Sequence, residues 1–295
     1  IIMSISIFKM VIIMKLKSIE RIDRVNFYGG FMGKYKNEEY LKKEIMEQSR
    51  HLFIYGYDTE YKSKFLQDLE KEYSFSIGSS SPVALYVDSF GLPRTDEERD
   101  KYVIHKMCRE YLSLTIALKI LDSSKEIDEG ILNERLSRLV YLINRIRNLG
   151  HAEIKTVVDL YNEIKTSRDF YYENYVRYIN GLIDSIPIDD VSISFLPLEM
   201  FVSTYKHAMD MNSYFGMIFD NKNMFAISSI QEVNNLINGR INSDISVKVV
   251  TSPDGWQTYM DINGQFVEAV HDYGIVELDD SYKEYTRKLS RRFKK

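Results

Sequence analysis

Residues 51–73 read HLFIYGYDTEYKSKFLQDLEKEY, and this stretch decides the fold. The apolar run LFIY predicts a buried strand, and the strand ends at Gly56. Beyond the glycine, apolar residues recur at helical spacing from Phe65 to Leu69, with charged residues between them. Lys62 and Ser63 stand between the predicted strand and the apolar face of the predicted helix.

This order of strand, glycine turn, Lys-Ser pair and helix is typical of a phosphate-binding loop. In such a loop the helix N-terminus offers N–H groups and a positive dipole end to phosphate. Lys62 would contact the outer phosphates and Ser63 would hold Mg²⁺. The pattern departs from GxxxxGK[ST] at Tyr61, where a glycine normally lets the backbone approach phosphate. The alternative interpretation is an ordinary strand-to-helix turn with a chance Lys-Ser pair.

Composition bounds the class of protein. The chain has 295 residues, of which 44% are hydrophobic and 28% charged, a balance typical of globular proteins. Its 39 basic and 43 acidic residues give a net charge of −4, which argues against a broadly basic nucleic-acid-binding protein but not against a local basic patch. The single cysteine, Cys108, allows no internal disulfide and no cysteine metal cluster, so a reducing, cytoplasmic setting is predicted.

The first 16 residues, IIMSISIFKMVIIMKL, are apolar but interrupted by Lys9. The run is too short and too broken to span a bilayer, which takes about 20 apolar residues, so no membrane partner is predicted. It also lacks the basic start and cleavage site of a signal peptide. The alternatives are a translation start within the run, at Met14 for example, an added strand or an interaction arm.

Strands and helices alternate along the rest of the chain, which predicts an α/β fold with a parallel sheet. Short apolar runs predict further strands at 83–88, with Asp88 at the C-terminal end, and at 191–195, 214–219, 246–252 and 273–278. Helical spacing predicts helices at 37–49, 99–121, 131–148, 153–186, 197–211, 230–241 and 282–295. Asn263 and Gly264 lie between two apolar segments, 256–262 and 265–270, and predict a late β-hairpin.

A second candidate motif is the stretch GMIFDN, where Asp220 closes a predicted strand and Asn221 follows it. A phosphate-binding loop needs an acid that helps to hold Mg²⁺, and Asp220 stands at a suitable strand end. Hydrolysis also needs a group that orients water. Asn221 can hydrogen-bond water but cannot take its proton. Without the loop at 56–63, Asp220 would be interpreted as a polar strand end or a helix cap.

With NFYGGF, EEYLKKEI, HLFIYGYDTEYKSKFL, PVALYVDSF, YFGMIFDN and VKVVTSPDGW in this order, the chain resembles a known family over residues 20–280. It looks like the AAA+/STAND group of P-loop ATPases, near the origin-recognition-initiator-like clade. The resemblance implies a P-loop NTPase sheet flanked by helices, with a large helical insertion. It also implies ATP and Mg²⁺ as cofactors and action in an assembly, with a protein partner or as a homo-oligomer.

The resemblance assigns a set of site residues. The implied cofactor-binding residues are Gly56, Tyr61, Lys62, Ser63 and Thr251 (or Ser252), the metal ligands Ser63 and Asp220, and the catalytic residues Asp220 and Asn221. The sequence departs from the family pattern at Tyr61 and at Asn221, where many ATPases carry a glutamate. No arginine stands at the end of the strand at 246–252, and Arg240 precedes that strand.

These departures predict a nucleotide-binding regulatory or switch protein with weak or lost hydrolysis, a pseudo-ATPase in the extreme case. One alternative is a non-enzymatic interaction or scaffold protein that keeps the fold. Another is a DNA-engaging, initiator-like ATPase, in which the basic tail at 287–295 would contact nucleic-acid phosphate. The tail is otherwise interpreted as a solvated helix end, and the pair His271 and Asp272 as a turn held by a structural hydrogen bond.

The patterns and the resemblance together predict four segments. They are an apolar extension at 1–17, a first part of the ATPase domain at 18–94, a helical insertion at 95–186, and a second part of the ATPase domain with the hairpin and a basic C-terminal helix at 187–295.

Overall fold

A computed structural model describes most of the chain between residues 38 and 278. The described ranges are 38–56, 59–87, 89–94, 100–146, 153–185, 197–221, 225–239, 244–252, 255–269 and 271–278. Three predicted features lie outside them: the apolar extension at 1–17, the strand at 191–195 and the helix at 282–295.

Helices and strands alternate in the described ranges. The helices are α1 (Glu38–Met46), α2 (Thr59–Glu72), α3 (Lys101–Ser123), α4 (Glu129–Arg135), α5 (Ser137–Ile146), α6 (Val157–Ile179), α7 (Leu198–Ala208) and α8 (Ile227–Asn238). The strands are β1 (His51–Tyr55), β2 (Val83–Val87), β3 (Phe215–Asp220), β4 (Ile245–Thr251) and β5 (Tyr273–Glu277). No helix in these ranges is both long and apolar enough to cross a bilayer.

The five strands form one sheet in the order β2-β3-β4-β1-β5, and every pairing is parallel. The predicted α/β class with a parallel sheet is therefore confirmed. The continuous apolar runs explain it, because a parallel sheet covered on both faces buries the side chains of both faces. The three inner strands, β1, β3 and β4, and the edge strand β2 are almost wholly buried.

Helices cover both faces of the sheet. On one face α1 and α2 bury an apolar cluster against Ile54, Ile218 and Val250. The other face carries the larger core, which includes Phe53 and Phe219 and the buried side of α3. Helix α3 contacts β2 and α8 directly, and α6 packs on α3. The alternation of side chains along each strand thus sends odd and even positions into different cores.

The helices between β2 and β3 depart from the predicted bounds. The predicted helix at 131–148 is two helices, since α4 ends and α5 begins around Leu136, which is fully buried. Helix α6 begins at Val157, because Thr156 and Asp159 form a capping box there. These helices lie where a helical insertion was predicted, and the four-segment division of the chain itself stays a prediction.

The late hairpin is present in a short form. One antiparallel bridge joins Met260 to Phe266, and the turn passes through Gly264 at φ +77°. The turn is held by the buried carboxylate of Asp261, which accepts the backbone N–H of Asn263 at 2.8 Å and that of Gln265 at 2.9 Å. Because side-chain bonds to Asp261 hold the turn, the segment needs no long strand ladder.

A buried lysine closes the edge of the sheet at which the strands begin. Lys248 of β4 is fully buried, and its Nζ donates to the carbonyl oxygens of Gln48 and Arg50, each at 2.7 Å. These carbonyls follow the end of α1. Beside Lys248, the hydroxyl of Ser246 donates to Arg50 O at 2.9 Å, and His51 Nδ1 accepts the N–H of Val247 at 2.9 Å. The amino edge thus joins α1 to the sheet.

Candidate functional site

The candidate site lies at the opposite edge, where the strands end. Strand β4 lies between β1 and β3, so Thr251 at its end lies between Gly56 and Asp220. The N–H of Gly56 donates to Thr251 O at 3.2 Å, which fixes the start of the loop against β4. Ligands of open α/β sheets bind at this carboxyl edge.

Lys62 and Asp220 meet here. The Nζ atom of Lys62 lies 3.2 Å from Oδ1 of Asp220, and both residues are buried, with exposed fractions of 4% and 0%. They are far apart in the sequence and come from α2 and β3. Each charge of such a buried ion pair needs the other, because removing one leaves the other in a medium of low polarity. The structure therefore brings together the two charged residues on which the predicted phosphate site depends.

The second oxygen of Asp220 has its own partner. The hydroxyl of Tyr86, on β2, donates to Asp220 Oδ2 at 2.9 Å. Sequence reasoning missed this tyrosine, because it lies inside the apolar run VALYV, which predicts only a buried strand. The available signal was its place on the strand, since a residue near the end of a strand beside β3 can share a face with Asp220.

The loop between β1 and α2 is shorter than the motif suggests. Helix α2 already begins at Thr59, so only two residues separate it from Gly56, and both lie outside the described part of the chain. Tyr61 lies in the first turn of α2, in a helical backbone conformation that does not require glycine. Its side chain is not among those described. The N-terminus of α2, with the positive end of the helix dipole, lies at this edge.

The side chains at the edge fit a magnesium–phosphate group by type. Ser63, half-buried on α2, and Asp220 supply hydroxyl and carboxylate oxygens, which are the ligands that Mg²⁺ prefers. Lys62 supplies a point charge for phosphate. Because Asp220 contacts Lys62, its Oδ1 oxygen would become available to a metal as the ammonium turns towards phosphate.

Asn221 takes part in a different contact. Its Nδ2 donates to Gly255 O at 2.8 Å, and its backbone N–H donates to Val250 O at 3.0 Å. A side chain at Gly255 would collide with Thr251, because an added Cβ would lie 2.7 Å from Thr251 Oγ1. The edge beside Asp220 is therefore closely packed. An amide that ties this turn can hold water but cannot serve as a general base.

Other candidate residues remain apart from the site. His271 is exposed and lies 2.8 Å from Asp272, whose other oxygen accepts the N–H of Glu268 at 2.7 Å, so the pair closes a turn. Cys108 is buried, and burial raises the pKa of its thiol to about 12, which keeps it protonated. In the ranges that the structure describes, no group of three or more His, Cys, Asp or Glu side chains could hold a metal ion. Arg240 and the tail at 287–295 lie outside those ranges.

A family model described as ORC-CDC6-like matches residues 87–294, which is more than two thirds of the chain. The match includes Asp220, Asn221 and Thr251, and it begins after β1 and the loop at 56–63. No curated protein matches the chain significantly.

Proposed function

We propose that this chain, which belongs to the ORC-CDC6-like family, is a nucleotide-binding regulatory or switch protein with weak or lost hydrolysis. The family match and the parallel α/β sheet support an ATPase-like initiator fold with a relationship to AAA+ proteins. The observation that carries the finer proposal is the contact of 3.2 Å between Lys62 and Asp220 at the carboxyl edge. Action with a protein partner or a second copy belongs to the same proposal.

Each residue at the edge has a role in this proposal. Lys62 would exchange its contact with Asp220 for the outer phosphates of ATP, and Asp220 and Ser63 would hold Mg²⁺, directly or through water. The N-terminus of α2 supplies N–H groups and a favourable dipole. Thr251 lies between the two halves of the site and would sense the bound nucleotide. The exchange keeps every buried charge paired, which favours a site that binds and releases nucleotide reversibly.

Weak hydrolysis follows from Asn221. General-base catalysis contributes roughly 10²–10⁴-fold to rate, and an amide cannot accept the proton of the attacking water. The Asn221 side chain is also engaged with Gly255 O at 2.8 Å. The chain would therefore hold ATP for long periods, as a switch requires.

Measurement of ATP affinity with Mg²⁺ and with EDTA tests the proposal. We expect binding that is tighter with Mg²⁺ and that is lost or weakened at least about tenfold in Lys62→Ala, since the ammonium contacts the triphosphate. Lys64→Ala is the matched control, because Lys64 is exposed on the same helix. Circular dichroism checks that each variant is folded. No binding at millimolar ATP, with no change in Lys62→Ala, would reject nucleotide binding.

The hydrolysis part has its own test. Asn221→Glu supplies a carboxylate beside Asp220 and should raise the ATP turnover rate by roughly 10²-fold. Asn221→Gln has the same length without a proton acceptor and should leave turnover at the wild-type level. Equal rates in both variants would argue against a missing general base as the cause of weak hydrolysis.

A non-enzymatic interaction protein is the second candidate, and a specific observation favours it. Both oxygens of Asp220 already have partners within the chain, the hydroxyl of Tyr86 and the ammonium of Lys62. Such a chain would keep the fold without a ligand. The same affinity measurements decide between the two candidates.

A further inference from the structure

We infer that Tyr86 is a positioning residue for the metal site. Its hydroxyl holds one oxygen of Asp220 so that the other oxygen faces Lys62 and, in the nucleotide complex, Mg²⁺. The inference rests on the proposed function, because it assigns a role to Tyr86 in the binding of Mg²⁺ with nucleotide.

The register of the sheet sets the direction from which Tyr86 reaches the acid. Tyr86 pairs with Ile218, so Asp220 lies two residues further along β3 and on the same face of the sheet. A long side chain can reach such a diagonal neighbour. The phenol therefore reaches Oδ2 from the neighbouring strand β2, and Lys62 reaches Oδ1 from α2. Each oxygen of Asp220 thus has a partner from a different element of the fold.

Tyr86 is itself held in place. Its ring is buried in the apolar cluster beneath α1 and α2, with 8% of the residue exposed. The backbone N–H of Tyr86, on a strand at the edge of the described sheet, donates to Glu70 Oε1 at 3.0 Å. Glu70 lies on α2, the helix that carries Lys62. One helix thus fixes Tyr86 at one end and contacts Asp220 at the other.

The chemistry of the contact favours positioning over competition. A phenol donates a hydrogen bond to a carboxylate and so orients it without taking the place of the metal. Hydrogen bonds to ligating carboxylates fix their orientation, and loss of such a partner typically costs about 10–100-fold in metal affinity. The hydrogen bond from Tyr86 to Asp220 is of this kind. The contact of Lys62 with Asp220, in contrast, is the one that Mg²⁺ and nucleotide would replace.

The test compares Tyr86→Phe with wild type for ATP binding in Mg²⁺ and in EDTA. Because only the hydroxyl is removed, we expect affinity in Mg²⁺ to fall about 10–100-fold and affinity in EDTA to stay within about twofold. Tyr214→Phe is the matched control. Tyr214 has a similar exposed fraction, 9%, and its hydroxyl donates to Met46 O near the amino edge. It should bind ATP like wild type under both conditions.

A double-mutant cycle adds a measurement that general damage would not move. If Tyr86 acts through Asp220, Tyr86→Phe should have no further effect on Mg²⁺-dependent affinity in the Asp220→Asn background. Four results would each overturn this inference and leave the proposed function intact. They are equal losses of ATP affinity in Mg²⁺ and in EDTA, additive losses in the cycle, unchanged binding in Tyr86→Phe, and tighter binding of Tyr86→Phe in Mg²⁺. Absence of ATP binding in wild type and in Tyr86→Phe would overturn both.

Discussion

Two buried lysines lie at opposite edges of the same sheet and have different partners. At the carboxyl edge, Lys62 contacts a carboxylate, Asp220 Oδ1, at 3.2 Å. At the amino edge, the Nζ of Lys248 donates to two neutral oxygens, the carbonyls of Gln48 and Arg50, and lies 6.0 Å from the centre of the Tyr214 ring. The difference teaches that burial alone does not give a lysine its role. The partner decides whether the charge can be exchanged with a ligand or serves to hold the fold.

The electrostatics of the amino edge fit a structural role. Burial, followed by the charge of Arg50, lowers the pKa of Lys248 to about 7. Burial also lowers the pKa of His51 to about 4, and the charge of Lys248 adds to this shift, opposed by Asp272. Carbonyl dipoles do not compensate a buried ammonium as a carboxylate does. The amino edge therefore tolerates its polar groups best when they are neutral.

The largest effect is expected at the carboxyl edge. Lys62→Met leaves the carboxylate of Asp220 buried without its cation, which should lower the free energy of unfolding by about 3–5 kcal/mol. Urea denaturation followed by circular dichroism measures the change. The double variant Lys62→Met/Asp220→Asn should recover most of the loss, because the amide oxygen can still accept from Tyr86. A loss below about 1 kcal/mol in Lys62→Met would mean that water solvates the ion pair. The carboxylate would then not distinguish Lys62 from Lys248.

His51 gives the next effect, at the amino edge. Its pKa of about 4 in the folded chain lies below the ordinary value of 6.5, so between these pH values the unfolded chain binds more protons. Stability should fall by up to about 3 kcal/mol as pH drops from 6.5 to 4. His51→Asn keeps an acceptor for Val247 N and does not titrate, so its stability should fall less over that range. His207→Asn, at an exposed position on α7, is the control and should follow wild type.

Lys248 should show the same sign at higher pH. Because its folded pKa of about 7 lies below the ordinary value of 10.5, the unfolded chain binds more protons above pH 7, and stability rises with pH. Wild type should gain about 2 kcal/mol relative to Lys248→Met between pH 7.5 and 9, measured by urea denaturation at each pH. Parallel pH profiles for the two proteins would show that Lys248 stays charged over this range.

The contrast between the edges also shows what the sequence could predict. The strand cores, the helix positions and the order of Lys62, Ser63 and Asp220 follow from apolar runs and motif spacing, which are local signals. The break between α4 and α5 was missed because Leu136 continues an apolar pattern without Gly or Pro.

Long-range partners could not be predicted. A lysine in the stretch SVKVVTS would be placed on the solvent side of a strand, but Lys248 bonds to carbonyls that lie some two hundred residues earlier. Tyr86 reaches Asp220 only because β2 and β3 become neighbours. In each case the partner is set by strand order, which a single sequence leaves open.

The smallest expected effect on stability concerns the two side chains that donate to the carbonyl of Arg50. Ser246 is buried and donates to Arg50 O, which also accepts from Lys248 Nζ at 2.7 Å. Ser246→Ala should therefore cost less than about 1 kcal/mol of unfolding free energy, because the carbonyl keeps a partner. In the Lys248→Met background the same change removes the second of these two donors to Arg50 O. The double variant should therefore lose about 1 kcal/mol more than the sum of the losses in the two single variants. Additive losses in urea denaturation would show that water reaches the carbonyl. The amino edge could then exchange its side-chain contacts for water, much as Lys62 is proposed to exchange its contact with Asp220 for a ligand.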